Sequence, residues 1–337
     1  MPRPSFLIIR LGSLGDVIHG IPTAAALRHH FPEARLDWMV DPRYVELLQL
    51  VDGIDRCIPF DPRDLTRGVH AWSVLGRLRR ARYDAVIDLQ GLLKSAVLAR
   101  LVSAKRIIGF PGTHLREPPA RFFYTDTPDL GAATHVIQKG LALLRAFDVM
   151  TSDVRFPLRV PQSGIGARVA NEFGAEGYAL LNPGAAWPNK RWPAARFGAV
   201  AAAVHRDHGL RSVVMWGPGE ESLAAAVVAA SAGTAEAAPP TTIADIVAIA
   251  HGARLMVSGD TGPLHVAGAV GTPLVALFGP TLPERNGPWS AGDITLSRVT
   301  TCSCFYERRC KKAAPCIDDI AVDEVVQAVR RRLGVHE

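Results

Sequence analysis

FLIIRLGSLGD, residues 6–16, is an apolar run that leads into a loop with two glycines and then an aspartate. The run Phe6–Arg10 predicts a buried strand, and Leu11–Gly15 predicts a tight loop. Asp16–His30 predicts a helix in which Pro22 is tolerated near the start. A buried strand, a loop and a helix in this order are typical of a parallel sheet covered by helices, so the stretch predicts an α/β fold.

The same alternation continues through the first half of the chain. The helical spacing of Trp72, Leu75 and Leu78 predicts an amphipathic helix over residues 69–82, with arginines on its opposite face. Further strands are predicted at Leu36–Val40, Ala85–Asp88 and Arg106–Gly109, and a further helix at His135–Phe147. The first half therefore has the pattern of one parallel α/β domain.

The second half repeats this pattern after a stretch rich in proline and glycine at Phe156–Gly166, which we interpret as a linker. The predicted strands are Tyr178–Asn182, Ser212–Gly217, Leu255–Ser258 and Leu274–Phe278. The predicted helices are Pro193–His208, Glu220–Ser231, Ile243–Ala250, Gly262–Val270 and Val322–Leu333. A flexible segment is predicted at Gly233–Thr242.

The length of 337 residues is more than one hydrophobic core usually supports. We expect two Rossmann-like, doubly wound domains, 1–165 and 166–317, that face a cleft. Residues 318–337 are expected to form a C-terminal helix that packs back on the first domain. Open parallel sheets bind ligands at the carboxyl ends of their strands, so we look for chemistry in the loops that follow each strand.

The excess of positive over negative charge lies in the first half of the chain. Residues 1–165 contain 22 Lys and Arg against 16 Asp and Glu, whereas residues 166–337 contain 16 of each. Such a field favours an anionic partner, such as an acidic membrane surface or a phosphorylated substrate, although a merely solvated face is equally compatible. No nucleic-acid motif, membrane-spanning stretch or signal peptide is recognisable, so we expect a cytoplasmic protein without a nucleic-acid partner.

Asp16 is the first candidate for a catalytic role. It follows the glycine loop and stands near the start of a predicted helix, so it is either a functional carboxylate or only a helix cap. The loop has the spacing G-x-x-G rather than the G-x-G-x-x-G of dinucleotide-binding folds. This difference argues against a nicotinamide-dependent dehydrogenase.

Two strand-to-helix junctions in the second half have the residues of a phosphate site. Asn182–Pro193 combines a Gly/Pro loop with Lys190 and Arg191, and Ser258–His265 brings an aspartate, a threonine and a glycine to a predicted helix start. Solvated cations in an ordinary loop, a helix cap at Asp260 and a packed His265 are the alternatives.

The fourth segment, Asp88–Ser95, places polar residues at a predicted strand end, and Arg116 and Tyr124 follow downstream. Its polar and basic side chains are suited to a charged acceptor, and the exposed start of a helix is the alternative.

Four of the five cysteines stand close together in sequence, at Cys302, Cys304, Cys310 and Cys316. Four clustered cysteines can form a tetrahedral zinc or iron–sulfur site. The usual C-x₂-C pair is missing, however, and disulfides are uncommon in the cytoplasm. We therefore expect reduced thiols and no metal, with the metal site as the alternative.

Taken together, these segments resemble glycosyltransferase family 9, the family of the lipopolysaccharide heptosyltransferases. The resemblance covers essentially the whole chain, and the stretch His114–Tyr124 is most similar to the heptosyltransferase I branch. The runs that carry the resemblance, in the order of the family, are Leu11–Asp16, Asp88–Ser95, Arg116–Tyr124, Pro183–Trp192 and Gly259–His265.

The resemblance implies an inverting transferase of the GT-B fold. Its donor would be ADP-L-glycero-β-D-manno-heptose and its acceptor the Kdo–lipid A inner core of lipopolysaccharide, at the inner face of the cytoplasmic membrane. Asp16 would be the general base and Lys190 would stabilise the donor phosphates. The remaining donor-site residues would be Gly184, Ala185, Ala186, Glu220, Asp260, Thr261, Gly262 and His265. The acceptor-site residues would be Ser13, Gln90, Lys94 and Arg116.

Two departures from the family pattern keep alternatives open. Ala185 and Ala186 stand where hydroxyl residues are common, and Glu220 is only approximately at the position of the ribose-binding glutamate. A family 9 transferase with a different donor or acceptor, a non-catalytic nucleotide-sugar-binding protein and a sugar-nucleotide epimerase are therefore the other hypotheses. No D-x-D sequence is present, so we expect no metal-bound nucleotide and no cofactor.

Overall fold

The chain divides into two compact units, residues 1–159 and residues 160–337. The computed structural model describes residues 3–65, 69–173, 176–312 and 314–334. The division lies at Arg159, six residues before the predicted domain boundary at 165 and inside the predicted linker.

The first unit is built on a five-stranded parallel sheet in the order β3-β2-β1-β4-β5. The chain runs outward from β1 to β3 and then crosses to the other side of β1 for β4 and β5. The direction of winding therefore reverses between β1 and β4. The strands are β1 (Ser5–Ile9), β2 (Arg35–Val40), β3 (Arg56–Pro59), β4 (Ala85–Asp88) and β5 (Arg106–Ile108).

Helices cover both faces of this sheet. On one face, Leu7, Ile9 and Val86 of the strands pack against Leu78 of α3 and Leu98 of α4. On the other face, α1 packs against α5. The helices are α1 (Leu14–His30), α2 (Val45–Gln49), α3 (Val69–Ala81), α4 (Leu93–Val102) and α5 (Val136–Ala142).

The second unit contains a six-stranded parallel sheet in the order β11-β10-β9-β6-β7-β8. Its first strand is again central, and the winding reverses between β6 and β9. The strands are β6 (Tyr178–Asn182), β7 (Arg211–Val214), β8 (Ala235–Ala237), β9 (Leu255–Gly259), β10 (Leu274–Phe278) and β11 (Ile294–Ser297).

Alternate residues of these strands face two separate cores, because successive side chains of a strand point to opposite faces. Leu181 and Val257 lie in the core with α7, α8 and α12, whereas Leu180 and Met256 lie in the core with residues of α6, α9 and α10. The helices are α6 (Gly164–Phe173), α7 (Ala194–His208), α8 (Glu221–Ala230), α9 (Ile243–Gly252), α10 (Gly262–Ala269), α11 (Pro283–Asn286) and α12 (Val322–Leu333).

The C-terminal helix α12 belongs to the second unit. Its apolar side chains Val325, Ala328 and Val329 are buried in the core that contains α7. These contacts all lie within the second unit, so packing of this helix on the first domain stays a prediction. The amphipathic pattern predicts a buried face correctly, but the pattern alone does not say which surface covers it.

Candidate active site

The predicted site residues follow the strands at which the winding of each sheet reverses. In the first unit, the loop after β1 contains Ser13 and leads to Asp16 in the first turn of α1, and the loop after β4 contains Gln90. In the second unit, the loop after β6 leads to Lys190, and the loop after β9 contains Asp260. Open α/β sheets bind ligands at such reversal points, at the carboxyl ends of the strands.

Asp16 lies in the first turn of α1 and is held by Arg10 and Ser13. Ser13 is the N-cap residue, so Asp16 is three residues inside the helix and is not the cap itself. One carboxylate oxygen accepts hydrogen bonds from the Ser13 backbone N–H at 2.9 Å and from its hydroxyl at 3.1 Å. The other oxygen forms an ion pair with the Arg10 guanidinium.

Arg10 lies at this site but was not among the site residues predicted from the sequence. Its guanidinium is largely buried, and besides Asp16 it donates to the carbonyl of Leu89, which follows β4. The Gln90 side chain accepts a hydrogen bond from the backbone N–H of Leu11 at 2.9 Å. The loops after β1 and β4 are thus joined, and the Arg10 guanidinium holds the Asp16 carboxylate through a charge-assisted hydrogen bond. The signal in the sequence that could have identified Arg10 is its position as a basic residue directly after an apolar strand.

Asp88, the last residue of β4, is an internal support rather than a ligand-binding residue. It is fully buried, and its carboxylate accepts hydrogen bonds from the hydroxyls of Ser95 and Tyr124, both at 2.8 Å. The backbone N–H groups of Gln90 and Gly91 also donate to it. Burial raises the pKa of Asp88 although these hydrogen bonds oppose the shift. The segment around Asp88 thus anchors Gln90 and Tyr124.

Lys94 and Arg116 are both exposed. Lys94 is in the first turn of α4, and the backbone N–H of its neighbour Leu93 donates to Glu117, which follows Arg116, at 2.7 Å. Within the described residues neither cation forms an ion pair, so both charges are available to an anion.

Asp260 and Lys190 form a buried ion pair in the second unit. The lysine ammonium lies 2.5 Å from a carboxylate oxygen, and the side chains are 15% and 5% exposed. The same oxygen accepts a hydrogen bond from Thr281 at 2.7 Å, and the other accepts one from Asn286 at 2.8 Å. His265 is buried, with its Nε2 3.3 Å from Asp260. Thr281 and Asn286 were not predicted, because they follow β10 far away in the sequence.

Asp260 therefore supports its neighbours and does not cap a helix. The N-cap of α10 is Thr261. Burial alone would raise the pKa of Asp260, but the hydrogen bond from His265 and the positive charge of Lys190 outweigh this effect and hold the pKa far below its usual range. Lys190 also lies 4.6 Å above the ring of Trp187, so its position is fixed from two sides.

Asn182, at the end of β6, joins the two loops at the reversal point of the second sheet. Its amide nitrogen is within 3.0 Å of the hydroxyl oxygens of both Ser258 and Thr261, and 3.3 Å from the carbonyl oxygen of Gly184. Asn182 and Ser258 are fully buried. The start of α10, with Thr261 and Gly262, is therefore held directly beside the Gly184–Ala186 loop.

Glu220 reaches the same loop from the carboxyl end of β7. Its carboxylate accepts hydrogen bonds from the backbone N–H of Gly217 at 3.1 Å and from Arg191 at 3.4 Å. A Cβ on Gly184 would lie 2.0 Å from a Glu220 oxygen, so only glycine permits this close approach. Arg191 also donates to the carbonyl of Ala185 at 2.8 Å. Ala185 is buried and Ala186 is exposed.

Three of the four clustered cysteines lie together in the same unit. The Sγ atoms of Cys302, Cys304 and Cys316 are all within 4.8 Å of one another. Burial and the neighbouring thiols raise the pKa of Cys316 to about 12, and Cys310 is near enough to contribute to this shift.

Helices long and apolar enough to cross a membrane are not found in the described part of the chain.

The family model "Glycosyltransferase family 9 (heptosyltransferase)" matches residues 71–315. Lipopolysaccharide heptosyltransferase 1 of Pseudomonas aeruginosa is 29% identical over 314 residues, which cover 90% of this chain and 86% of that protein. The enzyme of the same name from Salmonella typhimurium is 27% identical over 294 residues, which cover 83% and 90%.

Solved structures show the same fold. The structure of E. coli heptosyltransferase WaaC with ADP has a TM-score of 0.76 at 22% identity and covers 97% of this chain and 99% of that one. WaaC with ADP-2-deoxy-2-fluoro heptose has a TM-score of 0.73 at 22% identity, with the same coverage. The similarity confirms the predicted GT-B fold class. Because the family model matches well over half of the sequence, this chain belongs to glycosyltransferase family 9 and is a glycosyltransferase.

Proposed function

We propose that this enzyme transfers a heptose from ADP-L-glycero-β-D-manno-heptose to the Kdo–lipid A inner core of lipopolysaccharide. The relatives that cover most of the chain are named lipopolysaccharide heptosyltransferase 1, and WaaC structures contain ADP or a fluorinated ADP-heptose. The observation that supports the proposal most directly is the pair of charged sites at the two sheet reversal points, Arg10–Asp16 and Lys190–Asp260.

Asp16 is the proposed general base. In the transfer, the acceptor hydroxyl oxygen forms a bond to the anomeric carbon of the donor, and its proton passes to the Asp16 carboxylate. The bond from that carbon to the β-phosphate oxygen breaks, and ADP leaves with the electron pair. Attack from the face opposite the leaving group inverts the anomeric configuration. A base in this position accelerates such reactions by about 10²–10⁴-fold.

Lys190 is the proposed partner of the departing diphosphate. Its ammonium is fixed by Asp260 and Trp187, so it needs little reorganisation when negative charge develops on ADP. The backbone at Thr261 and Gly262, at the start of α10, provides further N–H groups for phosphate oxygens. Gly184, Ala185, Ala186, Glu220 and His265 complete the proposed donor site.

The acceptor is assigned to the first unit. Ser13 and Gln90 contact the loops around Asp16, whereas Lys94 and Arg116 offer exposed positive charge. The excess of basic residues before position 165 suits the phosphates and carboxylates of a Kdo–lipid A acceptor. We also propose that the enzyme is cytoplasmic and makes peripheral contact with the inner membrane surface.

Acceptor-dependent release of ADP tests this function. The purified chain is incubated with ADP-heptose, with and without Kdo–lipid A, beside Asp16→Asn and other nucleotide sugars. We expect release only with both substrates, reduced about 10²–10⁴-fold in Asp16→Asn with little change in donor affinity. Faster turnover of another donor would point to a different family 9 substrate. Release without any acceptor would favour the epimerase hypothesis.

A further inference from the structure

The cysteine cluster has the dimensions of a metal site. The Sγ atoms of Cys302 and Cys304 are 3.5 Å apart, and Cys316 brings a third sulfur within 4.8 Å of both. Sulfurs around a tetrahedral zinc ion are about 3.8 Å apart, because each Zn–S bond is about 2.3 Å. A disulfide, with its S–S bond of about 2.05 Å, would need a much shorter distance than the one between Cys302 and Cys304.

A buried amide is directed at one of these sulfurs. The Asn189 side-chain nitrogen lies 3.4 Å from the Sγ of Cys304 and 2.8 Å from the carbonyl oxygen of Glu307. Both Asn189 and Cys304 are only 1% exposed. Hydrogen bonds to the sulfur are typical outer contacts of thiolate metal centres, since they orient the ligand and stabilise its negative charge.

Four basic residues flank Cys310 in the sequence. Arg308 and Arg309 precede Cys310 directly, and Lys311 and Lys312 follow it directly. Four thiolates around a divalent ion carry a net charge of about −2. Neighbouring cations reduce the cost of gathering these thiolates, whereas they offer nothing to four neutral thiols.

We propose that Cys302, Cys304 and Cys316, with Cys310 as the fourth ligand, bind one thiophilic metal ion, zinc or a single iron. Cys310 lies outside the group of three sulfurs, so its thiolate has to approach them when the metal binds. Tetrahedral sulfur sites select these metals.

The metal would hold the segment that precedes the donor-site lysine. Asn189 is the neighbour of Lys190, and it joins the short helix Pro188–Lys190 to Cys304 and Glu307. A Cβ on Gly279 would lie 3.6 Å from the Cys316 sulfur and 3.3 Å from the Asn189 carbonyl oxygen, so the loop after β10 also packs against the cluster. The site is therefore structural, and its effect on donor binding rests on the function proposed above.

Metal analysis of the full-length chain tests the site without any activity measurement. The chain is purified under reducing conditions after growth with added zinc or iron, and metal content is measured by mass spectrometry for wild type, Cys304→Ser, Cys316→Ser and Cys57→Ser. Cys57 is a half-buried cysteine of the first unit and serves as the matched control. We expect about one metal ion per chain in wild type and Cys57→Ser, and at least a tenfold loss in the other two variants.

A second measurement covers the case in which the serine variants do not fold. Metal-stripped, reduced wild type is titrated with Co²⁺, and the visible absorption bands of tetrahedral Co²⁺–thiolate are recorded. Bands that saturate at one ion per chain support the site, and the bound native metal shows whether zinc or iron is preferred. Absence of metal both before and after reconstitution, unchanged metal content in the two variants, or a disulfide within the cluster would overturn the proposal.

ADP affinity then tests the link to Lys190. Calorimetric titration of metal-loaded and stripped protein should show several-fold weaker ADP binding after stripping. Equal affinities would overturn the positioning role and leave the metal site intact. A loaded protein that binds metal but uses no ADP-heptose would instead contradict the proposed function, so the two failures are distinguishable.

Discussion

Two aspartates at the sheet reversal points have different surroundings, and these surroundings imply different roles. The Asp260 carboxylate is almost fully buried, with Lys190, Thr281, Asn286 and His265 around it. The Asp16 side chain is 34% exposed and in contact with Arg10 and Ser13. A base must be accessible to its substrate, whereas a support must be held in place. We therefore propose that Asp16 takes part in proton transfer and that Asp260 positions Lys190.

Replacement of Lys190 by methionine should weaken both the fold and the donor site. The change removes a buried charge partner of Asp260, so we expect the free energy of unfolding to fall by about 2 kcal/mol and ADP affinity to fall at least tenfold. Urea unfolding and calorimetric titration measure the two effects. Lys105→Met breaks the exposed pair with Asp84 and is the matched control, with an expected change below about 1 kcal/mol. Equal losses in both variants would contradict a special role for the buried pair.

Asp260 should also contribute to the pH dependence of stability. Its pKa is lower in the folded protein than the value of about 3.9 in the unfolded chain. The ionised carboxylate therefore stabilises the fold above about pH 4, and this contribution is lost as the pH falls below that value. Urea unfolding between about pH 6 and pH 3 should show a shallower loss of stability in Asp260→Asn than in wild type. Parallel curves would show that the folded and unfolded pKa values are the same.

At the scale of the elements, α12 completes a core of the second unit. Val325→Ala removes two methyl groups from a fully buried position, so we expect a loss of about 2 kcal/mol in the free energy of unfolding. Gln327→Ala, on the exposed face of the same helix, should change the stability by less than about 0.5 kcal/mol. Thermal or urea unfolding measures both. A Val325→Ala variant as stable as wild type would contradict the packing of this face on α7.

The central strands could be predicted from the sequence because their residues are apolar on both faces, and α12 because its apolar residues recur at helical spacing. β4, β6, β10 and α12 have their predicted bounds. The shorter edge strands β3, β8 and β11 were missed, because partly exposed strands lack this continuous apolar signal. Most other predicted elements differ from the observed bounds by a few residues at most. They are the strands β1, β2, β5, β7 and β9 and the helices α1, α3, α7, α8, α9 and α10. The predicted helix 135–147 is α5 followed by a short 3-10 helix, Leu143–Phe147.

The candidate site was predictable only in part. Motif order along the chain singled out Asp16, Lys190 and Asp260, because each follows a predicted strand. Arg10, Asn182 and Thr281 were missed, since each contacts a loop that is distant in sequence: Arg10 contacts Leu89, Asn182 contacts Thr261 and Thr281 contacts Asp260. Local sequence patterns do not show which distant loops are in contact. The order of the strands in the sheet decides which loops become neighbours.

At the scale of the whole molecule, the asymmetry of charge is the feature most relevant to a lipid-linked acceptor. Helix α3 exposes Arg77, Arg79 and Arg80, and Trp72 is 56% exposed instead of lying on the buried face as its spacing predicted. Basic side chains beside an exposed tryptophan are suited to an anionic membrane surface.

Binding to vesicles tests this proposal. The double variant Arg77→Glu/Arg80→Glu should bind phosphatidylglycerol-containing vesicles at least tenfold more weakly than wild type, because each basic residue near the surface contributes about 1 kcal/mol. Sedimentation with vesicles measures binding, and raised salt should weaken it in wild type. Arg168→Glu, an exposed arginine of the second unit, is the control with little expected change. Binding that is insensitive to both the double variant and salt would exclude an electrostatic contact through α3.

The central claim is that this family 9 enzyme joins a heptose to a Kdo-bearing acceptor with Asp16 as its base. Mass spectrometry of the acceptor after incubation with ADP-heptose and enzyme tests it most directly. We predict an acceptor that gains one heptosyl residue with wild type and a rate about 10²–10⁴-fold lower with Asp16→Asn. An unmodified acceptor with folded, ADP-binding wild-type enzyme would contradict the proposed substrates. Equal product formation by Asp16→Asn would contradict the role of Asp16.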